Sequence, residues 1–150
     1  MQNVIELLKG QHQQIRGLFE EVAAKHGVER QAAFAQLKQL MSAHEAAEEK
    51  VVHPAAEQVL TNGDAEVAAR EKEEAEARKS LRALASLDVD SDDFETTFRA
   101  LQAAVLRHAA VEEKEEFEKL ASKLDDGTLK KMGAEVQAVE TKAKQALRAR

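Results

Sequence analysis

Residues 34–55 read FAQLKQLMSAHEAAEEKVVHPA. Apolar positions recur by threes and fours as Phe34, Leu37 and Met41, and the same seam continues through His44 and Glu48 to Val51 and Ala55. That spacing marks one face of an amphipathic helix. An imidazole and a carboxylate interrupt the face. Placed four residues apart, they are offset by about 40° and rise by about 6 Å, so their side chains converge on one side of the helix. An unpaired ionised group buried there would cost several kcal/mol. The seam therefore requires something to compensate it.

Three further segments repeat the pattern. Residues 3–25 carry the seam Ile5, Leu8, His12, Ile15, Phe19, Val22. Residues 92–124 carry Phe94, Phe98, Leu101, Val105, His108, Glu112. Residues 65–87 carry Val67, Glu71, Glu74, Ala77, Leu81, Leu84. His44–Glu49 and His108–Glu113 both read His-x-x-x-Glu-Glu, a short internal repeat. With 28 Ala, one Pro, six Gly and no alternating β-branched run, the 150-residue chain reads as all-α.

The breaks set the topology. Gly27 ends the first helix, and the second runs over 29–60 with Pro54 inside it. Thr61-Asn62-Gly63 separates it from the third, which Asp64 can cap. Asp88 to Ser91 is a turn, with Asp90 or Ser91 as the cap of the fourth helix. Asp125-Asp126-Gly127 breaks the chain before a fifth helix over 129–149, whose apolar face is Leu129, Met132, Val136, Val139, Ala143 and Ala146. Short links between long helices predict an antiparallel up-down four-helix bundle over 1–124. Residues 125–150 add an amphipathic C-terminal helix, docked on the bundle or on a partner. The up-down order places the two His-x-x-x-Glu-Glu helices parallel to one another.

Composition removes several classes. No Cys means no disulfide framework, thiolate zinc site, iron–sulfur cluster or cysteine nucleophile. A net charge of −6 lacks the footprint of a nucleic-acid binder, and five Phe are the only aromatics for base stacking. No run approaches the roughly 18 apolar residues of a membrane span, and no signal peptide is legible, so a cytoplasmic protein is expected.

Imidazole with carboxylate suits a first-row metal such as iron, manganese or zinc. A cation would also compensate the buried carboxylates. The ferritin-type pair Glu-x-x-His is absent, as is the zincin motif His-Glu-x-x-His, because His44-Glu45-Ala46-Ala47-Glu48 ends in Glu. No glycine-rich phosphate loop is present, and few Ser give little support to a serine triad.

These residues resemble the hemerythrin-like, or HHE cation-binding, family. Gln11-His12-Gln13-Gln14-Ile15-Arg16-Gly17-Leu18-Phe19 is similar to its opening motif, which usually begins Asp-His. HEAAEEKVVHP over 44–54 is similar to its second-helix motif, and HAAVEEKEEF over 108–117 to its fourth. The resemblance covers residues 1 to 120. It implies a bundle holding two non-haem irons bridged by oxygen and carboxylates, with His12, His44, Glu48, His108 and Glu112 as ligands and Glu48 and Glu112 as bridges. The family usually has His on its third helix; this chain has none, and Glu74 aligns with that position, Glu71 being the alternative. Glu49 and Glu113 could replace their neighbours. A carboxylate on the third helix would harden the site and lower its redox potential.

Two other histidines stand apart. His53 follows His44 by nine residues, about 180° round an ideal helix, which argues against a ligand and for packing or surface. Pro54 disturbs that turn, so a local twist could still bring His53 to the metals or beside them. His26 is expected to be exposed at a helix end.

The implied function is binding or sensing of dioxygen or a related small oxidant, with Val51, Ile15, Phe19, Leu101 and Val105 as apolar walls. Alternatives are peroxide decomposition or nitric-oxide reaction at the same centre, with His53 as its acid–base candidate, or an iron-handling or regulatory module. A monomer or small homo-oligomer is expected, without nucleic acid or membrane.

Overall fold

The computed structural model describes residues 2–148, and every regular element among them is helical. α1 spans Val4–Ala24, α2 Gly27–Ala47, α3 His53–Val59, α4 Gly63–Ala85, α5 Asp92–Glu112, α6 Glu118–Lys123 and α7 Asp126–Arg148. Ala149, the expected end of the last helix, lies outside the described residues. A π-helical turn over Glu48–Val52 joins α2 to α3, and a second over Glu113–Phe117 joins α5 to α6. Ala47, His53, Glu112 and Glu118 at the junctions keep right-handed helical dihedrals, so each composite is one continuous rod. The bundle is built from α1, α2–α3, α4 and α5–α6, and α7 is the additional helix. No helix among the described residues is long and apolar enough to cross a membrane.

Helix ends follow their capping chemistry, with three departures from the sequence reading. Ser91 Oγ accepts from the Phe94 N–H at 3.1 Å and starts α5 as expected. Gly27 does not end α1, which stops at Ala24. It opens α2 instead, at φ +57°, where the left-handed backbone favours a glycine. Asp64 lies inside the first turn of α4 rather than at its cap, where a carboxylate still suits the positive end of the helix dipole. The last break closes earlier than expected: Asp125 Oδ1 accepts from the Thr128 N–H at 2.7 Å, and Gly127 is already helical.

Two apolar clusters flank a polar middle layer. One gathers Ile15, Phe19, Phe34, Leu37, Leu84, Phe94 and Phe98 from α1, α2, α4 and α5. Its rings interlock, Phe34 meeting Phe94 edge-on at 5.5 Å and Phe94 stacking on Phe98 at 5.6 Å. Each fully buried side chain of this size contributes about 1.5–3 kcal/mol. Arg30 ties this end shut: its guanidinium donates to the carbonyls of Val22 at 2.8 Å and Val89 at 2.7 Å, joining the last turn of α1 to the α4–α5 link.

The other cluster contains Val4, Leu8, Val52, Phe117 and Leu120, and α7 completes it with Leu129, Met132 and Val136. α7 packs against α1 and α2. A Cβ on Gly133 would collide with the Gln2 carbonyl oxygen, so a glycine is what lets α7 cross the start of the chain so closely.

Candidate metal centre

Between the two clusters, α1, α2–α3, α4 and α5–α6 turn polar side chains towards one another. His12, His44, Glu48, His53, Glu74, Glu112 and Glu116 are all buried, Glu48, Glu112 and Glu116 completely. The inner nitrogens converge. His12 Nε2 lies 3.2 Å from His44 Nε2 and 3.2 Å from Glu112 Oε1, and His44 Nε2 lies 2.6 Å from Glu48 Oε1. His53 Nε2 lies 3.1 Å from Glu74 Oε1. His108 Nε2 stands 3.5 Å from Glu112 Oε2 and 3.6 Å from Glu74 Oε2.

Two sets of donor atoms result, each within 4.8 Å of one another: His12, His44, Glu48, Glu112, and Glu48, His53, Glu74, Glu112. Glu48 and Glu112 belong to both. Despite these short approaches, neither oxygen of Glu48 or of Glu112 has a hydrogen-bond partner among the described residues. Lone pairs therefore point at shared positions rather than along hydrogen bonds. Two nitrogen ligands at right angles on one metal, each about 2.1 Å from it, would stand about 3.0 Å apart. The His12–His44 separation is close to that. The donor set fits a pair of first-row cations.

The outer nitrogens are held as firmly. The Nδ1–H of His12 donates to Glu113 at 2.8 Å, that of His53 to Glu116 at 2.7 Å, and that of His108 to Glu73 at 2.7 Å. The Nδ1–H of His44 donates to Gln11 Oε1 at 2.7 Å. With Nδ1 engaged as the donor, Nε2 is the nitrogen left facing inward, the usual support for a metal-binding imidazole once any proton on Nε2 is shed. Phe117 stacks on the His12 ring at 5.5 Å and limits its tilt.

The sequence reading places His12, His44, Glu48, Glu74, His108 and Glu112 inward, and the structure brings all six together. Glu71 is exposed, so Glu74 is the one α4 turns in; Glu49 is exposed and pairs with Arg78 at 2.8 Å. Glu113 serves the outer side of His12. His26 is exposed, as expected.

His53 departs from its expected packing or surface position: it is only 1% exposed and sits between Glu74 and Glu116. The π turn over Glu48–Val52 is the cause. It absorbs one extra residue, so nine residues turn as about eight, and the angle from His44 falls from about 180° to about 80°. The same slip moves the apolar seam from Val51 and Ala55 to Val52 and Ala56. Glu116 escaped the sequence reading for the matching reason. The turn over Glu113–Phe117 brings it within about 20° of His108. Pro54 is the one sequence signal near the first turn; nothing comparable marks the second.

Burial and close pairing act against each other in the cluster. Burial opposes a charged ring at His53, but hydrogen bonds to Glu116 and Glu74 push it up to about 10. Burial likewise works against His108, yet Glu112 and Glu74 push it up to about 11. Burial and the neighbouring His12 bring His44 down to about 3. Burial opposes ionisation of Glu112, but contacts from Glu48, His108 and His12 hold it well below the usual carboxylate range. Burial and the adjacent Glu112 push Glu48 well above that range.

A cavity of about 560 Å³ opens between α4 and α5 onto these residues. Ile15, Met41, Ala77, Leu101 and Val105 give it apolar walls, and His12, His44, His108, Glu48 and Glu74 line its inner end. Ile15, Leu101 and Val105 are thus walls as expected. Phe19 is instead locked in the aromatic cluster, and Val51 is turned aside by the π turn to pack near α7.

A helical bundle that directs imidazoles and carboxylates from four rods onto two shared positions defines a cation-binding bundle. The pattern of the Hemerythrin HHE cation binding domain matches residues 3–120, and the chain belongs to that family. Its fold is similar to the crystal structure of a hemerythrin HHE cation binding domain-containing protein from Mycobacterium kansasii. The TM-score is 0.85 at 21% identity, over 97% of this chain and 90% of that one. No curated protein matches the chain in sequence.

Proposed function

We propose that the chain is a non-haem di-iron protein that takes a small oxidant, dioxygen or a relative of it, through the cavity between α4 and α5. The observation that carries this reading is the pair of donor sets sharing Glu48 and Glu112. His12 and His44 would hold one iron, and His53, Glu74 and His108 the other, with Glu48 and Glu112 as bridges. Two irons so placed would supply an open coordination position and a two-electron change of state. Manganese or zinc fits the same donors.

The protein's own part is to orient and to exclude. The Nδ1 partners fix each ring, and Ile15, Leu101 and Val105 keep the inner end of the cavity apolar. A water occupies about 30 Å³ in the liquid, so the cavity has ample room for a small oxidant.

Peroxide chemistry is the second reading. Glu45 favours it, because it lines the cavity and burial, reinforced by Glu74, pushes its carboxyl up to about 8. It therefore holds a proton at neutral pH where a reduced oxygen would need one.

The test begins with metal content. Protein purified without chelator should carry close to two irons per chain, and its reduced form should be oxidised by dioxygen or by peroxide. Ala104→Trp, on the exposed cavity rim, should slow that oxidation at least about tenfold with metal content unchanged. Near-zero iron after anaerobic loading, or oxidation indifferent to a plugged cavity, would contradict the reading.

Loading should also release protons. At pH 7 the metal-free site carries a second proton on each of the rings of His53 and His108, which ligands must shed. Calorimetry in buffers of different ionisation enthalpy should find at least about two protons released per chain. Affinity should climb as pH rises from about 6.5 towards 10. Release of no protons would mean that these groups do not bind the metal.

A further inference from the structure

α7 lies beyond the residues that match the family pattern, yet one of its side chains reaches the metal centre. Glu140 is 7% exposed, and its Oε1 accepts from Gln11 Nε2 at 2.8 Å. Gln11, 8% exposed, uses its other end to accept from the His44 Nδ1–H at 2.7 Å. His44 then presents Nε2 towards His12 and Glu48.

We infer that Glu140 is a positioning residue for the metal centre, holding Gln11 in the one orientation that leaves His44 Nε2 free to take a cation. This rests on the reading of His44 as a ligand.

An amide is a donor at one end and an acceptor at the other, and the two ends are nearly the same size. Shape alone does not choose between them. The carboxylate of Glu140 does, because it only accepts. It draws the Gln11 NH₂ towards α7 and leaves the amide oxygen facing His44. That oxygen also only accepts, so the His44 proton belongs on Nδ1. With Gln11 reversed, its NH₂ would face Nδ1, the proton would move to Nε2, and the lone pair a metal needs would be gone. His12, His53 and His108 need no such relay, since Glu113, Glu116 and Glu73 meet their Nδ1–H groups directly. His44 alone leans on a neutral amide. The acceptor-only character it lacks at first hand comes from α7, where Gly133 permits the close approach.

Coupling of this kind is reciprocal. Docking of α7 should favour metal binding, and metal binding should hold α7 in place.

The experiment compares wild type, Glu140→Gln, Gln11→Ala and the double variant, all as the full chain. Long-range proton–nitrogen NMR on the metal-free protein reads the His44 tautomer, and a competing chelator reads zinc affinity. Wild type should show the proton on Nδ1. Glu140→Gln is isosteric and keeps α7 docked, but either end of its amide can face Gln11. His44 should then become a tautomer mixture, with zinc affinity about 10-fold to 100-fold weaker. In the Gln11→Ala background the same change should have no further effect on either readout. An unchanged tautomer in Glu140→Gln overturns the inference, as does a shifted tautomer with unchanged affinity or a full effect that persists without Gln11. If wild type binds no zinc or iron, the metal reading fails on its own, and the tautomer comparison still decides whether Glu140 sets His44.

Discussion

Glu48→Met is expected to empty both metal positions and to leave the metal-free protein more stable than wild type. Glu48 is fully buried, belongs to both donor sets, and has no hydrogen-bond partner for either oxygen among the described residues. Without metal it is a polar group held away from water, next to the equally unpartnered Glu112. An unsatisfied buried group costs about 1–3 kcal/mol, and a methionine of similar length removes that cost. Chelated Glu48→Met should therefore gain about 1–3 kcal/mol in denaturant unfolding. Its metal content should fall from near two per chain to near zero. Wild type overtakes it only when loaded, because a cation that binds the folded state alone adds stability with its concentration. Such a reversal is hard to obtain from an ordinary core position, where Phe98→Ala should cost about 3–5 kcal/mol with or without metal. A Glu48→Met protein that keeps two metals would remove Glu48 from the bridge.

Legibility in the sequence divides along a physical line. Seams of period 3.6 reveal His12, His44, Glu48, Glu74, His108 and Glu112, because each falls where an ideal α-helix puts it. Those six depend only on local periodicity. His53 and Glu116 lie beyond a π turn, and the periodicity that finds the first six misplaces them by one residue. The second turn carries no proline or glycine to announce it, since Glu113–Phe117 reads as ordinary helix. The Nδ1 partners are a different kind of omission. Gln11, Glu73 and Glu113 sit beside the ligands or one turn from them, and which imidazole each serves depends on how the rods pack. Glu140 is further still: a sequence separation of 129 residues from Gln11 hides it from any local pattern.

His53→Ala separates the two metal positions. His12 and His44 face one set of donors and His53 faces the other, so metal content should drop from near two to near one, with the spectrum of a single ion. Retention of two would mean that Glu74 and His108 suffice. The metal-free protein should respond with the opposite sign to Glu48→Met. There His53 is a buried cation between Glu74 and Glu116, and its removal leaves two buried carboxyl groups facing an empty space. Breaking a buried pair in this way costs about 3–5 kcal/mol. The pH dependence follows from the direction of the shift. His53 is raised from 6.5 to about 10 in the folded chain, so its contribution is complete below pH 6.5 and is lost as pH rises through about 10. The gap between wild type and His53→Ala should thus be widest near pH 6 and should close towards pH 10. Deleting Lys50 tests the π turn itself through the backbone. Removing the extra residue would leave about eight residues from His44 to His53, which turn by about 80° in an ordinary α-helix, so His53 should stay beside Glu74. Loss of a metal in the deletion would contradict the one-residue slip. Retention of both metals in the deletion, against loss of one in His53→Ala, would tie the second position to the direction of the imidazole, because the deletion changes its sequence spacing from His44 and not where it points.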